Sequence, residues 1–228
     1  MSKYLKNSAV YVIPSIVSSV LPLISLPIFT RVLTTEDFGA LAMCQVYSIF
    51  IIGISNFGLS FGYERNFFEF KNKEKQIVLL YSTIFFVTIT SLISGIITYL
   101  FLENIILLLK ISIDYSNELL LSTFLAAFLI NTKSYFLIFF KNNENAKEHT
   151  NISVSELIMN FIFSLIFILI FKVGVTGIVL AQILSITILL LILIFKFYKI
   201  KSFEIDFNSL KDSIVLSYPL TPRLFFGI

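Results

Sequence analysis

A lysine and a glutamate lie inside two long apolar stretches of this chain, where ionisable side chains are rare. Lys133 lies eight residues before Lys141, and Glu156 lies five residues after Asn151. At 1.5 Å per residue, eight residues of helix span about 12 Å, so on adjoining helices the two side chains reach a similar depth. A charge at that depth is costly unless it is paired or serves a function. The spacing predicts an ion pair facing an interior space, with extension of Lys133 to the lipid headgroups as the alternative.

Uncharged polar side chains accompany the two charges at helical spacing. Glu156, Asn160 and Ser164 recur every four residues, which places them on one face of a helix that we expect to look inward. Asn131 precedes Lys133 by two positions. The second apolar stretch carries a further set close to one stripe, namely Gln45, Ser48, Ser55 and Asn56. We take the amides Gln45, Asn56, Asn131 and Asn160 as candidate binding groups.

Three prolines, Pro14, Pro22 and Pro27, interrupt the first apolar stretch. Each removes an intrahelical hydrogen bond and tends to bend the helix axis. A bent helix suits the wall of a cavity, although membrane helices tolerate proline in general.

The common sequence signatures of metal hydrolysis and of nucleotide binding are absent. The sequence contains no HExxH, CxxC or GxxxxGK[ST] pattern, so it gives no sign of metal hydrolysis or ATP-driven transport. Cys44 is the single cysteine, and His149 has no second His or Cys near it in the sequence. We expect His149 to be a solvated loop residue, and we predict no metal site, no cofactor and no enzymatic activity.

The composition is that of a membrane protein. Hydrophobic residues make up 57% of the 228 residues and charged residues 14%, and the mean hydropathy is +0.92. A membrane-spanning helix needs about 20 apolar residues. Six stretches qualify, namely 9–30, 38–63, 77–101, 117–140, 152–171 and 175–195. A seventh stretch begins near Asp212. Because strands of a barrel are far shorter, the fold class is all-α and polytopic.

Lys and Arg residues are unevenly distributed over the connections between these stretches. Twelve lie in the N-terminal segment and in the second, fourth and sixth connections, whereas the other three connections hold only Arg31, Lys110 and Lys172. The positive-inside rule therefore predicts a cytoplasmic N-terminus. The basic residues lie beside helix ends, which argues against nucleic acid as a partner.

A ten-residue segment occurs twice. LKNSAVYVIP at 5–14 returns as LKDSIVLSYP at 210–219, with Leu, Lys, Ser, Val and Pro in register. Both copies enter the membrane from the same side, as a parallel repeat in a two-lobed transporter requires. We therefore predict a six-helix lobe over 1–205 and the start of a second lobe, a truncated helix 7, over 206–228.

Several segments resemble bacterial polysaccharide flippases of the multidrug/oligosaccharidyl-lipid/polysaccharide exporter superfamily. LPIFTRVLTTEDFG, within 7–43, is similar to the exit of their helix 1, and FGLSFGYERNFFE at 57–69 to the exit of their helix 2. GVTGIVLAQILS at 174–185 resembles the start of their helix 6, and LSYPLTP at 216–222 their helix 7. The similarities follow the family's order along nearly the whole chain.

The resemblance implies two six-helix lobes around a cavity that opens alternately to either side of the bacterial cytoplasmic membrane. Its cargo would be an undecaprenyl-pyrophosphate-linked oligosaccharide, and its other partners membrane lipids and polysaccharide assembly proteins. Carried over by position, Arg31 and Arg65 become candidates for anionic contacts, with anchoring at the headgroups as the alternative. Lys133 and Arg223 are further basic candidates, and Glu156 is a candidate for coupling.

Other functions remain open. A multidrug/cation antiporter of the same superfamily is the nearest alternative, and a membrane-embedded polysaccharide polymerase or glycosyltransferase is an alternative of another class. Helices 8 to 12 of the family have no counterpart in the 228 residues. We therefore also consider a fragment or a half-transporter.

Overall fold

The computed structural model describes residues 3–220 of the chain, and the side chains of 9–219. Within that range every regular element is a helix, in agreement with the predicted fold class. The α-helices are α1 Lys3–Phe29, α2 Thr35–Asn56, α3 Leu59–Phe67, α4 Lys73–Leu100, α5 Leu102–Leu109, α6 Ser116–Asn142, α7 Ala146–Leu165, α8 Thr176–Tyr198 and α9 Phe207–Ser217. A π-helical turn, Ile166–Ile170, extends α7, and a 3-10 turn, Tyr218–Leu220, extends α9.

Six of these helices, α1, α2, α4, α6, α7 and α8, are long and apolar enough to cross a membrane. This confirms the predicted number of spans. Successive spans run in opposite directions, so α1, α4, α7 and α9 begin at one end of the bundle and α2, α6 and α8 at the other. We name the first the basic end, because Lys73, Lys141, Lys147 and Lys196 lie there, and the second the opposite end.

The predicted second stretch, 38–63, is wrong as a single helix. Phe57 and Gly58 both have left-handed backbone conformations, with φ of 49° and 71°, and they separate α2 from α3. The Phe57 N–H still bonds the carbonyl of Gly53, which closes α2. An apolar run does not reveal such a break, because both helices bury similar side chains. Gly58 is the local signal, since glycine adopts positive φ without strain.

Helix α7 begins earlier than the predicted 152, because Asn145 caps it by accepting a hydrogen bond from the Glu148 N–H. His149 therefore lies on this helix, half-buried, and its ring packs edge-on against Tyr11 of α1 at a centroid distance of 5.1 Å. The expectation of a solvated loop histidine is wrong. Asn and Asp are favoured at such caps. The polar segment before residue 152 therefore contains the start of the helix and is not a loop throughout.

Buried apolar side chains form two clusters, one in each half of the bundle. The basic-end cluster joins α3, α4 and α9 to the later halves of α6 and α8, with Phe67, Phe139 and Phe197 at its centre. The opposite-end cluster joins most of α2 to the earlier halves of α6 and α8, and includes Leu119 and Val179. Helices α6 and α8 contribute to both clusters and thus form the core of the bundle.

Helix α9, which carries the second copy of the repeat, packs closely against α3. The Gly62 N–H donates to Ser217 Oγ at 3.0 Å, and Asn66 Nδ2 donates to Ser213 Oγ at 2.8 Å. A Cβ on Gly62 would lie 2.2 Å from the Ser213 carbonyl oxygen. The contact therefore requires glycine at this position. The assignment of 206–228 to a second lobe stays a prediction.

Candidate functional site

Lys133 on α6 and Glu156 on α7 form the expected ion pair. Lys133 Nζ lies 2.5 Å from Glu156 Oε1 and also contacts Oε2. Only 11% of the lysine side chain and 13% of the glutamate side chain are exposed. At this burial neither charge is tolerated without its partner. The pairing is confirmed, and a role in binding remains a prediction.

Asn56 and Asn131 also lie in the middle of the bundle, bonded to each other. Asn56 Nδ2 donates to Asn131 Oδ1 at 3.0 Å, and Asn56 Oδ1 accepts from the Ser60 N–H. Both side chains are buried. The pair joins the end of α2 and the start of α3 to α6. The structure thus places these two amides in helix packing and on neither of the grooves described below.

A first groove lies between α1 and α7. We name it groove A; its cavity volume is about 150 Å³. Its polar lining consists of Ser18, Ser25, Asn160 and Ser164, among apolar side chains such as Phe29 and Phe161. Ser164 Oγ lies 3.5 Å from Asn160 Oδ1. The predicted inward face of this helix is therefore confirmed for Asn160 and Ser164, which open onto the groove.

A second and larger groove lies among α2, α6 and α8. This groove B has a volume of about 330 Å³, and its polar lining consists of Gln45, Ser48, Thr123 and Gln182. Gln45 and Ser48 are thus separated from Ser55 and Asn56, which lie two to three turns further along α2. There Ser55 contacts Ser94 of α4, and its carbonyl accepts from Thr90 Oγ1. The four side chains of the stripe therefore do not open onto one space, because α4 and α6 cover its later half.

The ion pair lies within one helical turn of both grooves. Asn160 of groove A follows Glu156 by four residues on α7, and Ile130 of groove B precedes Lys133 by three residues on α6. Residues three and four apart on a helix are neighbours on its surface. The pair itself lines neither groove and lies about one helical turn from lining residues of both, which occupy the half of the bundle towards the opposite end.

The two candidate arginines lie at opposite ends of the bundle. Arg31 is exposed just beyond α1, and Arg65 is exposed on α3. The 22 residues of α2 separate them, which corresponds to about 33 Å at 1.5 Å per residue. They therefore do not share a site with each other. Arg223 lies outside the described residues.

Helix α1 continues through Pro14, Pro22 and Pro27. Pro14 has no N–H for the carbonyl of Val10, and Thr150 Oγ1 of α7 donates to that carbonyl at 3.0 Å. In the same way Pro22 leaves the Ser18 carbonyl without its intrahelical donor, and both residues line groove A. Pro14 and Pro22 thus free backbone acceptors on the side of α1 that faces α7. Bending of α1 remains a prediction.

Four polar residues of the grooves were not among the predicted binding residues: Ser18, Ser25, Thr123 and Gln182. Gln182 was visible as an amide within an apolar stretch, and the seven-residue spacing of Ser18 and Ser25 places them on one face of α1. Sequence spacing does not show which helix faces converge. Among the described residues, no group of three His, Cys, Asp or Glu side chains is placed to hold a metal ion.

Comparison with known proteins gives one family and one fold. Residues 4–227 match the family model described as polysaccharide biosynthesis protein. Among curated proteins, none matches the sequence significantly. The structure is similar to the Vibrio cholerae MATE transporter VcmN in its bent form, with a TM-score of 0.76 and 14% identity over 98% of this chain and 53% of that one.

Two further solved structures are similar to this chain over nearly its whole length. A MATE transporter in its straight conformation aligns with a TM-score of 0.73 and 21% identity, over 97% of this chain and 52% of that one. An outward-facing multidrug resistance transporter of the MATE family in the MOP superfamily aligns with a TM-score of 0.70 and 21% identity, over 97% of this chain and 52% of that one. The chain spans about half the length of these structures, so its fold is half of a transporter fold of this type.

Proposed function

The chain belongs to the polysaccharide biosynthesis protein family, and from that membership we propose that it moves a lipid-linked oligosaccharide across the bacterial cytoplasmic membrane. The family and the MATE fold indicate a membrane transporter rather than an enzyme. The proposed cargo is an undecaprenyl-pyrophosphate-linked glycan. It would cross by alternating access, together with a second six-helix lobe.

The observation that carries the proposal is a buried Lys133–Glu156 pair within about one helical turn of residues that line two grooves containing amides and hydroxyls. A pyrophosphate-linked sugar has an anionic group next to several hydroxyl groups. Ammonium groups bind phosphate oxygens through charge-assisted hydrogen bonds. Asn160, Gln45 and Gln182 offer both donors and acceptors to sugar hydroxyls.

In this proposal the anionic headgroup competes with Glu156 for Lys133. Without cargo, the glutamate keeps the lysine neutralised, which limits the cost of burying either charge. With cargo, the phosphate shares the Lys133 ammonium group with Glu156, so that neither side chain loses its partner, and the sugars fill the grooves. The lipid tail remains in the bilayer between the lobes.

The two arginines would act at different stages of transport. We assign the basic end to the cytoplasm, since most Lys and Arg residues of the connections lie there. Arg65 would then meet the pyrophosphate on the cytoplasmic side and Arg31 on the outer side. Their exposure leaves both guanidinium groups accessible to a headgroup.

A second candidate function is multidrug/cation antiport. The fold likeness to MATE transporters is compatible with it, and the specific observation in its favour is the apolar share of groove A, which includes Leu21, Pro22, Phe29 and Phe161. Such side chains suit an aromatic cation better than a sugar. Glu156 would then be the group that meets the cation.

The proposal is tested by joining the chain at Lys211 to the helix 7–12 segment of a family member in a flippase-deficient bacterium. We expect surface glycan to return, to be lost in Lys133→Gln and to be kept better in Lys133→Arg, because the positive charge is the required property. At Arg31 and Arg65, Lys should likewise be tolerated better than Gln. Lys172→Gln is the matched control, since this lysine is exposed and distant from the pair.

Protein level and membrane insertion are checked by immunoblot in every strain. A stably inserted parent that restores no glycan would overturn the flippase proposal. Drug resistance without glycan export would select the antiporter instead. Normal export by the Arg31→Gln, Arg65→Gln double variant would remove the arginines from the site.

A further inference from the structure

Ile178, near the start of α8, lines both grooves. Groove A lies on the α1 and α7 side of this residue, and groove B on the α2 and α6 side. We propose that the Ile178 side chain is the partition that separates the two grooves and thereby sets the size of glycan that the site accepts. The inference rests on the proposed function and concerns the specificity of the same site.

The backbone that carries Ile178 is held in place from two sides. Gly177 packs against the π-helical turn that extends α7, and a Cβ there would lie 3.0 Å from Phe167 Cβ. Gly174, with φ of 70°, lies below the Tyr115 ring, whose hydroxyl would be 3.1 Å from a Cβ on it. Val175 between them is fully buried. The first turn of α8 therefore has little freedom to move the partition aside.

The side chain itself is also stiff. Isoleucine branches at Cβ, and in a helix one χ1 rotamer strongly predominates. Ile178 is only partly buried, so one side of it contacts the opposite-end cluster while the rest borders the grooves. A rigid helix turn with a stiff apolar side chain makes a fixed wall.

The chemistry on the two sides of the wall is alike. Groove A offers the Asn160 amide and serine hydroxyls, and groove B offers the amides of Gln45 and Gln182. Both can therefore bind sugar hydroxyls, each in a separate small volume of about 150 and about 330 Å³. A single sugar fits within one groove, whereas a branched unit needs both. Shortening Ile178 joins the two spaces.

The test measures binding of two lipids, in lipid nanodiscs, to the purified chimera in which this chain is joined at Lys211 to the helix 7–12 segment, because the proposed function requires both lobes. The probes are undecaprenyl pyrophosphate carrying a monosaccharide and the same lipid carrying a branched oligosaccharide. We expect Ile178→Ala to raise the affinity for the branched lipid relative to the simple one on the order of tenfold, which is the lower end of the discrimination that one methylene group provides in a hydrophobic pocket. Ile178→Phe should shift the ratio the other way.

Two control variants separate the partition from general effects of mutation. Ile178→Leu keeps the volume of the wall and loses only the branching at Cβ, so it should change the ratio much less than Ile178→Ala does. Ile183→Ala removes the same atoms from another residue of α8 in the opposite-end cluster, and it should leave the ratio unchanged. A purely structural role would weaken binding of both lipids equally and would leave the ratio as it is.

The outcomes distinguish the two proposals. If the parent binds neither lipid, the flippase proposal fails, and the size filter fails with it. If the parent binds lipid and neither Ile178→Ala nor Ile178→Phe changes the ratio, the size filter alone is wrong. Opposite shifts in these two variants support it, and because Ile178→Phe creates no cavity, it remains informative if the alanine variant does not fold.

Discussion

The hydroxyl group of Thr150 on α7 donates a hydrogen bond to the carbonyl of Val10 on α1, at 3.0 Å. This is the carbonyl that Pro14, four residues later, cannot bond. An unpaired backbone acceptor is costly in a membrane. The cost of the proline is thus offset by a neighbouring helix, and the bond attaches α1, which is otherwise largely exposed, to α7.

We expect Thr150→Val to destabilise the bundle by about 1 kcal/mol, because it removes one hydrogen bond and preserves the shape of the side chain. In a Pro14→Ala background the effect should be smaller, since alanine restores an N–H for Val10. Thermal unfolding of the four proteins in detergent measures this coupling. Equal effects of Thr150→Val in both backgrounds would contradict the role of the bond.

For the ion pair, we expect Lys133→Ala and Glu156→Ala each to cost about 3 kcal/mol or more, because each leaves an uncompensated charge in the bundle. The double alanine variant should be more stable than the sum of the two losses predicts, and the charge-reversed pair should be tolerated better than either single change. Unfolding midpoints of the purified parent, the two single alanine variants and the double alanine variant give a double-mutant cycle for this pair. Additive losses would mean that the two charges do not interact.

At the contact of α3 with α9, Gly62→Ala should destabilise the protein by about 1 to 3 kcal/mol, because the new Cβ would overlap the Ser213 carbonyl oxygen. Gly39→Ala is the matched control: nothing lies within 4 Å of its Cβ position on α2, and alanine favours the helix. Thermal unfolding compares the two. A stabilising Gly62→Ala would show that α9 does not pack this closely on α3.

The orientation in the membrane is tested with single cysteines and a membrane-impermeant maleimide. Cysteine at Lys73 or at Lys201, both at the basic end, should remain unlabelled in intact cells and become labelled after lysis. Cysteine at Asn104, exposed at the opposite end, should be labelled from outside. Cys44 is buried and gives little background. Strong labelling of position 73 or 201 in intact cells would reverse the topology.

Asp206, which caps α9, makes one part of the stability pH-dependent. A hydrogen bond from the Ser209 hydroxyl, together with the N–H groups of Asn208 and Ser209, lowers the pKa of its carboxyl group. Its stabilising effect is therefore present above the ordinary aspartate pKa of about 3.9 and is lost as the pH falls through the lower folded-state value. Unfolding midpoints of the parent and of Asp206→Asn should differ most near neutral pH and converge in acid. A constant difference would exclude the carboxylate as the cause.

Much of the fold was predictable because long apolar stretches are local in the sequence. Six spans and the all-α class follow from the number of apolar residues needed to cross a membrane. The helix ends were less accurate: the break at Phe57–Gly58 and the early start of α7 depend on backbone conformation and on caps. A helix break or a helix cap hardly alters the amino-acid composition of a segment, so hydropathy alone does not show it.

For the site, the sequence alone determined that Lys133 and Glu156 lie at a similar depth, because helical rise converts residue number into distance. Only the tertiary structure decided which polar side chains surround them. Asn56 and Asn131 bond each other in the packed interior, whereas Gln182 and Ser25 line the grooves. The reason is physical: the period of a helix fixes which residues share a face, but the packing of neighbouring helices decides whether that face is covered or open.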